Sequence, residues 1–243
     1  MSAGWWIPDL LTGGAAVAAA GLFYAVRYPG ASWLAPSITS GSKRRKAIAI
    51  TFDDGPSEST PDLLQLLEAH QARCTFFQCG YHVERLPDIA KQVLAAGHEI
   101  GNHTYSHAAL YFRPAQFIAD EIYLAQEAIS RVCGVVPKFF RPPYGARWFG
   151  LRRALTHFEL KCVMWSGLGL DWKLNAEGIY QRLRKCIRPG AIFCLHDGRE
   201  LAERPDIRPT IEAVRRLLPE LREQGFELIP VSDLLCQTTS PSA

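Results

Sequence analysis

The sequence contains no internal repeat, no low-complexity tract and no Cys-x-x-Cys pair. It also has little net charge, because 27 Lys and Arg residues nearly balance 24 Asp and Glu residues and leave +3. A balance this small gives no electrostatic reason to expect a nucleic-acid partner. The only dense basic run, Lys43–Lys46, lies in a stretch of loop-like composition. We therefore expect a globular protein that does not bind nucleic acid.

The seven cysteines are odd in number, scattered along the chain and mostly set in apolar stretches. This pattern is typical of small buried side chains and argues against a disulfide framework. Because disulfides persist mainly in oxidising compartments, the pattern mildly favours a reducing one.

Long hydrophobic runs are scarce as well, and the one candidate lies near the N-terminus. Leu10–Val26 is a run of 17 residues without charge, which is short beside the roughly 20 residues that a membrane span needs. No basic stretch precedes the run, which argues against a cleaved signal peptide. We expect a membrane-anchoring helix and membrane association through residues 10–26 at the cell envelope. The alternative is a helix that docks on the protein core.

The segments on either side of residue 46 differ in character. Proline and glycine residues predict a linker over residues 28–45, and the positive charges Arg27 and Lys43–Lys46 follow the hydrophobic run. The positive-inside rule would place the domain that follows in the cytoplasm. We expect three segments: the hydrophobic segment with its linker (1–45), the main domain (46–236) and a flexible tail (237–243).

From residue 46 onward, short apolar runs alternate with longer segments of helical periodicity. Seven runs have the pattern of buried strands, KAIAITF (46–52), CTFFQCG (74–80), HEIGN (98–102), KFFR (138–141), KCVMWS (161–166), AIFCLH (191–196) and FELIPVS (226–232). Strands that alternate with helices predict a parallel α/β sheet. The regular alternation favours a closed or nearly closed (β/α) barrel of about seven parallel strands, with an N-terminal hydrophobic helix. An open doubly wound sheet is the alternative.

Polar side chains that could bind a metal or take part in catalysis occur repeatedly at the ends of these predicted strands. In a parallel barrel the carboxyl ends of the strands form the functional site. The residues at or just after five strand ends are Asp53, Asp54, His103, His107, Arg141, Asp171 and His196. We therefore expect these side chains to meet at one edge of the barrel.

Each of these residues also has a purely structural explanation. Asp53 and Asp54 could serve only as a turn and helix cap, and His103 and His107 could be surface residues. The two histidines are four positions apart and would share a face if their segment were helical. Together with Asp54 they make two imidazoles and one carboxylate, a set that binds a divalent cation and leaves a position open for water. Such a site can take Zn²⁺, Co²⁺, Mn²⁺ or Ni²⁺, and Zn²⁺ is our expectation for a hydrolytic site.

The motifs TFDDGP (51–56), HTYSH (103–107), RPPYG (141–145), DW (171–172) and LHD (195–197) occur in this order. They resemble the ordered motifs of the polysaccharide deacetylases, the NodB-homology or carbohydrate esterase family 4 group, over roughly residues 47–236. The resemblance implies a distorted (β/α) barrel. It also implies metal-dependent removal of N-acetyl groups from N-acetylglucosamine-type sugars in a polysaccharide, an oligosaccharide or a lipid-linked glycan.

The resemblance also assigns roles to individual residues. Asp54, His103 and His107 would bind the metal, and Asp53 would be the base that deprotonates the attacking water. The acid side of the reaction would fall to His196, which would protonate the departing amine.

Further residues would support this chemistry. Asp171 would pair with His196, and Arg141 would orient Asp53. A backbone N–H at Tyr144 would stabilise the oxyanion. Trp172 would form a wall of the acetyl pocket, and Pro142 would belong to the substrate-binding loop.

This sequence departs from the family pattern at two positions. Leu168 stands where family members often have an additional Asp, and Cys194 stands where an apolar residue, commonly Leu, is usual. Both changes concern the acyl pocket, so the preferred acyl group or sugar is open. Arg199 could contact an anionic group of the substrate, although an exposed, solvated Arg is the simpler interpretation.

Two other functions stay open at this point. The chain could be a catalytically silent carbohydrate-binding relative, or a deacylase of the same chemistry that acts on a non-sugar amide. The expected partner is an acetylated amino-sugar polymer or oligomer. A polymer substrate would place the domain outside the membrane, against the positive-inside argument, so we leave the side open. The sequence carries no signal for the oligomeric state.

Overall fold

The computed structural model describes residues 7–236, and their side chains from residue 16 onward. The predicted tail at 237–243 lies outside the described residues. The strands of this part of the chain are β1 (Ser37–Ile38), β2 (Ala47–Asp53), β3 (Thr75–Gln78), β4 (Glu99–Asn102), β5 (Phe139–Phe140), β6 (Lys161–Val163), β7 (Gly167–Leu168), β8 (Ile192–His196) and β9 (Glu227–Leu228).

The helices of the described residues surround these strands. They are α1 (Ile7–Arg27), α2 (Thr60–Ala69), α3 (Gly80–Arg85), α4 (Pro87–Ala95), α5 (Ala115–Cys133), α6 (Leu151–His157), α7 (Ala176–Arg184), α8 (Arg208–Glu223) and α9 (Val231–Leu235). A single 3₁₀ turn covers Pro143–Gly145.

The sheet is parallel throughout, and its strand order is β1-β6-β5-β4-β3-β2-β8-β7, with β9 paired to β2. Strands β1 and β7, at the two ends of this order, are not paired with each other. The architecture is therefore an incompletely closed (β/α) barrel, which confirms the predicted fold class. The helices lie where crossovers between parallel strands require them.

Strand β2 shows how the barrel directs side chains. All seven of its residues are buried, and successive side chains point to opposite faces. Ile48, Ile50 and Phe52 belong to a core cluster with the buried residues of α2 and α8. Ala47 and Ala49 belong to a separate cluster that includes buried residues of β3, β5, β6 and β8. The alternation continues to Asp53, which shares the inner face with Ala47 and Ala49.

The helices follow the same logic. In α5, Ile118, Ile122, Ala125 and Ile129 are buried at spacings of three or four, so one stripe faces the core. The helix ends at Gly134, whose φ of 73° gives the left-handed conformation that commonly follows a helix.

Three segments differ from the sequence-based expectation. The predicted linker at 28–45 contains β1, which pairs with β6. Strand β7 was not predicted. The predicted strand at 226–232 ends at Leu228, and α9 begins at Val231. Strands β1 and β7 have two residues each and lie beside Gly, Pro and Ser residues, so no apolar run marks them in the sequence.

Helix α1 covers the hydrophobic run of the N-terminal segment. Val17 and Phe23 are 74% and 70% exposed, whereas Ala25 and Val26 near its C-terminal end are buried. Within residues 7–236, no helix combines the length and the hydropathy that crossing a membrane requires.

Candidate active site

The carboxyl ends of β2, β4, β5 and β8 bring the candidate residues together. Asp53 and His196 are the last residues of β2 and β8 and are paired directly in register. His103 and Arg141 each follow the end of a strand, β4 and β5. Asp171 follows β7 by three residues and binds His196. Five separated motifs of the sequence thus meet at one edge of the sheet, as the sequence analysis predicts.

Asp53 is held by two donors, Arg141 just after β5 and Cys194 on the neighbouring strand β8. Arg141 donates from Nη1 to Asp53 Oδ1 at 2.6 Å, and Cys194 Sγ lies 3.4 Å from Oδ2. Burial, followed by the negative charge of Asp53, raises the pKa of Cys194 well above its usual range. Cys194 is therefore a thiol that donates to Asp53.

Arg141 is itself completely buried and fixed in place. It donates to the carbonyls of Val163 and Met164 and to Thr51 Oγ1, and its guanidinium lies 4.1 Å from the centre of the Phe77 ring. The predicted partnership between Arg141 and Asp53 is thus present, and it sets the orientation of the carboxylate.

Asp54 directs its carboxylate to the two histidines. Its φ of 71° is left-handed, so its side chain leaves the backbone in a different direction from that of Asp53. Asp54 Oδ1 lies 3.3 Å from His103 Nε2 and 3.1 Å from His107 Nε2.

The two histidines reach Asp54 from a loop and not from a helix. Residues 103–107 contain no helical turn, and Thr104 and His107 have φ values of 66° and 53°. His103 and His107 are therefore not brought together by a helix, as their spacing of four would suggest. Both nevertheless contact Asp54. Glu121 on α5 shapes the loop by accepting hydrogen bonds from the backbone N–H groups of Tyr105 and Ser106.

The orientation of these groups fits a cation. His103 donates its Nδ1–H to the carbonyl of Arg141 at 2.7 Å, so the neutral imidazole turns the lone pair of Nε2 toward Asp54. Asp54 Oδ1 is buried and has no hydrogen-bond donor. Converging acceptors without a donor are the arrangement that a metal ion satisfies. Asp54, His103 and His107 can therefore hold one divalent cation.

Asp53, Cys194 and His196 also present potential ligand atoms within 4.8 Å of one another. Two of these residues are already committed elsewhere, because Asp53 accepts from Arg141 and His196 binds Asp171. The set around Asp54 is the better metal site.

His196 and Asp171 form a tight pair on the opposite wall. His196 Nδ1 lies 2.8 Å from Asp171 Oδ1, and Asp171 Oδ2 accepts from the backbone N–H of His196 and from Thr210 Oγ1. Burial alone would lower the pKa of His196, but attraction by Asp171, Asp54 and Asp53 raises it to about 9. Because Nδ1 is bound to Asp171, Nε2 is the free nitrogen of the imidazole.

A cleft of about 600 Å³ unites these groups. It is lined by Arg27, Asp53, Asp54, His103, His107, Tyr144, Gly145, Trp165, Leu168, Leu170, Trp172, Cys194, His196, Arg199 and Glu200. Its walls agree with several predicted positions, since Tyr144, Trp172 and the two departures Leu168 and Cys194 all face it. Pro142 is buried and is not among the lining residues.

Two aromatic side chains border the chemical groups. The Trp172 ring stands perpendicular to that of His196, with centroids 5.2 Å apart. Tyr144 has a φ of 57°, lies edge-on to His107 and donates its hydroxyl to Glu200 at 3.0 Å. Burial and this hydrogen bond raise the pKa of Tyr144 to about 12.

Several site residues escaped the sequence analysis. The backbone N–H of Glu200 donates to Asp54 Oδ2 at 2.9 Å, and Thr210 binds Asp171. Arg27 lines the cleft from the end of α1. Arg199 was considered a substrate contact, but it donates to the carbonyls of Asp171 and Gly198 and so braces the His196 loop. No periodicity or spacing signal links these residues to the site.

Comparison with known proteins agrees with the geometry. The polysaccharide deacetylase family model matches residues 40–163. A chitooligosaccharide deacetylase of Azorhizobium caulinodans is 35% identical over 199 residues, which cover 78% of this chain and 95% of that protein.

Solved structures of related proteins have the same fold. A peptidoglycan N-acetylglucosamine deacetylase, solved with a bound hydroxamate-type benzamide, has a TM-score of 0.77 and 31% identity, over 84% of this chain and 94% of the other. A pseudoenzyme of carbohydrate esterase family 4 from Bacillus anthracis has a TM-score of 0.76 and 26% identity, over 84% and 70%. The chain therefore belongs to the polysaccharide deacetylase family, the metal-dependent hydrolases of N-acetyl groups whose motifs its strand ends carry.

Proposed function

We propose that this chain is an active deacetylase that hydrolyses the N-acetyl group of an N-acetylglucosamine unit in a glycan. The observation that carries the proposal is that one cleft holds a three-ligand cation site, a free carboxylate and an imidazole of raised pKa. Relatives named as chitooligosaccharide and peptidoglycan deacetylases support the substrate class.

The base side of the reaction belongs to Asp53. Its Oδ1 is occupied by Arg141, whereas Oδ2 has only the long contact to the Cys194 thiol. Oδ2 is therefore the atom that takes the proton from the attacking water. Arg141 keeps this oxygen directed into the cleft, and fixed orientation is a large part of the advantage of an enzyme-bound base.

The acid side belongs to His196. With a pKa of about 9, the imidazole is protonated at neutral pH and can donate from Nε2 to the departing amine. Asp171 stabilises the charged form and fixes the ring by its bond to Nδ1. Asp53 and His196 close neighbouring strands in register, so the base and the acid face the same bound amide from two sides.

The cation itself would be held by Asp54, His103 and His107. Once bound, a divalent ion supplies Lewis-acid activation of water and of the acetamide carbonyl. Two imidazoles and one carboxylate suit Zn²⁺, and Co²⁺, Mn²⁺ and Ni²⁺ are alternatives.

A test of activity separates this proposal from its two competitors. Purified protein loaded with Zn²⁺ or Co²⁺ is incubated with acetylated chito-oligosaccharides, peptidoglycan fragments and a non-sugar acetamide, and acetate is measured. We expect acetate from a sugar substrate, and its loss in Asp53→Asn. Asp120→Asn serves as the matched control, because Asp120 is exposed on α5 and lies outside the cleft.

The competing functions predict other outcomes. Acetate release from the non-sugar amide alone would identify a deacylase of another substrate class. If metal-loaded protein released no acetate from any substrate, a catalytically silent function would be favoured. The pseudoenzyme from Bacillus anthracis is a precedent for such a function among similar proteins.

We also propose that residues 10–26 associate with a membrane surface. Support comes from α1, whose apolar side chains Val17 and Phe23 are largely exposed. Contiguous exposed apolar surface commonly marks an interaction site. Protease accessibility in intact cells would reveal on which side the catalytic domain lies, and recovery of all protein in the soluble fraction would refute the association.

A further inference from the structure

A second groove, rich in arginine and lysine, opens directly from the active-site cleft. Its volume is about 690 Å³. Four residues line both cavities and make them one continuous surface, namely Arg27, Tyr144, Trp165 and Leu168. A glycan that places its acetamide in the cleft can therefore extend into this groove.

The charge of the groove is of one sign. Its lining includes the four cations Arg27, Arg182, Lys185 and Arg188 and contains no Asp or Glu. Among the residues whose side chains the structure describes, none of these cations has a carboxylate at salt-bridge distance. Arg184 on α7 and Arg216 on α8 differ, since they bind Glu220 and Glu177.

The position of cations at helix ends explains only part of the positive charge in the groove. Arg27 closes α1, and Arg182 lies in the last turn of α7, where a cation complements the helix dipole. That effect accounts for a cation at each helix end. It does not account for two cationic ends that face one groove, because like charges repel unless an anion lies between them.

Arg27 is also held in position from inside the protein. The buried guanidinium of Arg147 donates to the carbonyl of Val26 at 3.3 Å, to that of Ala31 at 2.9 Å and to that of Tyr28. The positive charge of Arg27 also complements the negative end of the α1 helix dipole. The backbone around Arg27 is thereby fixed to the barrel, so its place in the wall of the groove is built into the fold.

We propose that this groove binds an anionic group of the substrate, a phosphate or a carboxylate attached close to the N-acetylated sugar. Arginine is the residue that best recognises both groups, because its planar donors match their oxygens. Tyr144 and Trp165, at the junction, offer apolar ring surface to the sugar between the two subsites. The inference rests on the proposed deacetylase function and specifies its substrate class.

The test compares neutral and anionic substrates of the same length. The neutral substrate is N,N′,N″-triacetylchitotriose. One anionic substrate is a trimer of N-acetylglucosamine and N-acetylmuramic acid, which carries carboxylates, and the other is a 1-phosphate diester of triacetylchitotriose. We expect kcat/KM to be about tenfold higher for at least one anionic substrate at low salt, and the preference to shrink at high salt, where charges are screened. The favoured anionic substrate tells which of the two groups the groove recognises.

Variants assign the preference to the groove. In the double variant Lys185→Gln/Arg188→Gln, and in Arg27→Gln, the ratio of anionic to neutral kcat/KM should fall about tenfold. The control Arg184→Gln/Arg216→Gln removes the same charge outside both cavities and should keep the wild-type ratio. Equal kcat/KM for neutral and anionic substrates, or a ratio that the groove variants leave unchanged, overturns the inference.

A binding measurement separates this inference from the proposed function. Asp53→Asn protein is titrated with N-acetylglucosamine, its 1-phosphate and N-acetylmuramic acid, in the presence and absence of the groove substitutions. Tighter binding of either anionic sugar that depends on Lys185 and Arg188 supports the groove even if no substrate is turned over, whereas equal binding of all three sugars refutes it. Turnover of the neutral trimer without an anionic preference leaves the deacetylase proposal standing and removes only the groove.

Discussion

Asp53 and Asp54 are neighbours in the chain with different tasks, and the backbone between them explains how. Asp53 ends an extended strand, whereas Asp54 adopts a left-handed conformation. One carboxylate is consequently held by the buried Arg141 and the other faces two imidazoles. In the proposed reaction Asp53 offers an oxygen to the proton of the attacking water, and Asp54 offers one to the cation.

The His196–Asp171 pair predicts how activity depends on pH. In the proposed reaction His196 is the acid, and its pKa is raised to about 9, chiefly by Asp171 against the effect of burial. The protonated form therefore persists below that value, and kcat should fall as the pH rises through about 9. A bound divalent cation would move this limb downward, because it repels the imidazolium. The measurement is kcat between about pH 6 and pH 10.

Asp171→Asn supplies the comparison for this pH profile. It removes the negative charge that raises the pKa, so the alkaline limb should move to lower pH and kcat should drop. The pair should also contribute to stability, fully below the unfolded histidine pKa of about 6.5 and no longer above about 9. An alkaline limb at the same pH in both proteins would show that His196 is not the acid.

At the scale of elements, the N-terminal segment is fastened to the barrel by one buried side chain. Arg147 donates to backbone carbonyls of residues 26–31 and to Ser37 Oγ. Burial lowers the pKa of Arg147, and within the described side chains its partners are neutral oxygens, not carboxylates. The segment that precedes β2 is thus part of the site wall.

Arg147→Met tests this attachment. It keeps an unbranched side-chain stem but leaves several carbonyls without a donor, so the free energy of unfolding should fall by about 2 kcal/mol. Urea denaturation measures that loss, and limited proteolysis should show faster cleavage within residues 28–36. Arg153→Met, at an exposed position on α6, is the control. Unchanged stability and cleavage would mean that Arg147 does not hold the segment.

The elements also show what pattern analysis can and cannot recover. Strand β2 (Ala47–Asp53) is long enough for pattern analysis, and the sequence predicts it over residues 46–52. Pattern analysis fails at the 103–107 loop. The spacing of four between His103 and His107 suits a helix, but left-handed residues and hydrogen bonds to Glu121 form an irregular loop. The metal ligands were found from residue type and order, and not from their local structure.

At the scale of the whole molecule, the parallel topology decides where chemistry can occur. Every strand of the main sheet runs in the same direction, so the motifs of five strand ends meet at one edge. This part of the site is predictable from sequence, since each motif follows a recognisable strand. Arg27 is not, because it reaches the cleft through contacts between α1 and Arg147, which lie about half the chain apart.

Charge is distributed unevenly between the active-site cleft and the adjoining groove. Acidic residues surround the cation site, whereas the adjoining groove carries Arg27, Arg182, Lys185 and Arg188. The family match begins at residue 40, so α1 and Arg27 lie outside it. In the proposed groove, Arg27 would let the N-terminal segment contribute to the choice of glycan.

The central claim is that Asp54, His103 and His107 grip one cation while Asp53 stays free to act as the base. Metal content after equilibrium dialysis, measured together with acetate release, tests it most directly. We predict one equivalent of divalent metal in the wild-type protein, one equivalent without turnover in Asp53→Asn, and neither metal nor turnover in His103→Ala. Metal retained in full by His103→Ala, or lost from Asp53→Asn, would contradict this division of labour.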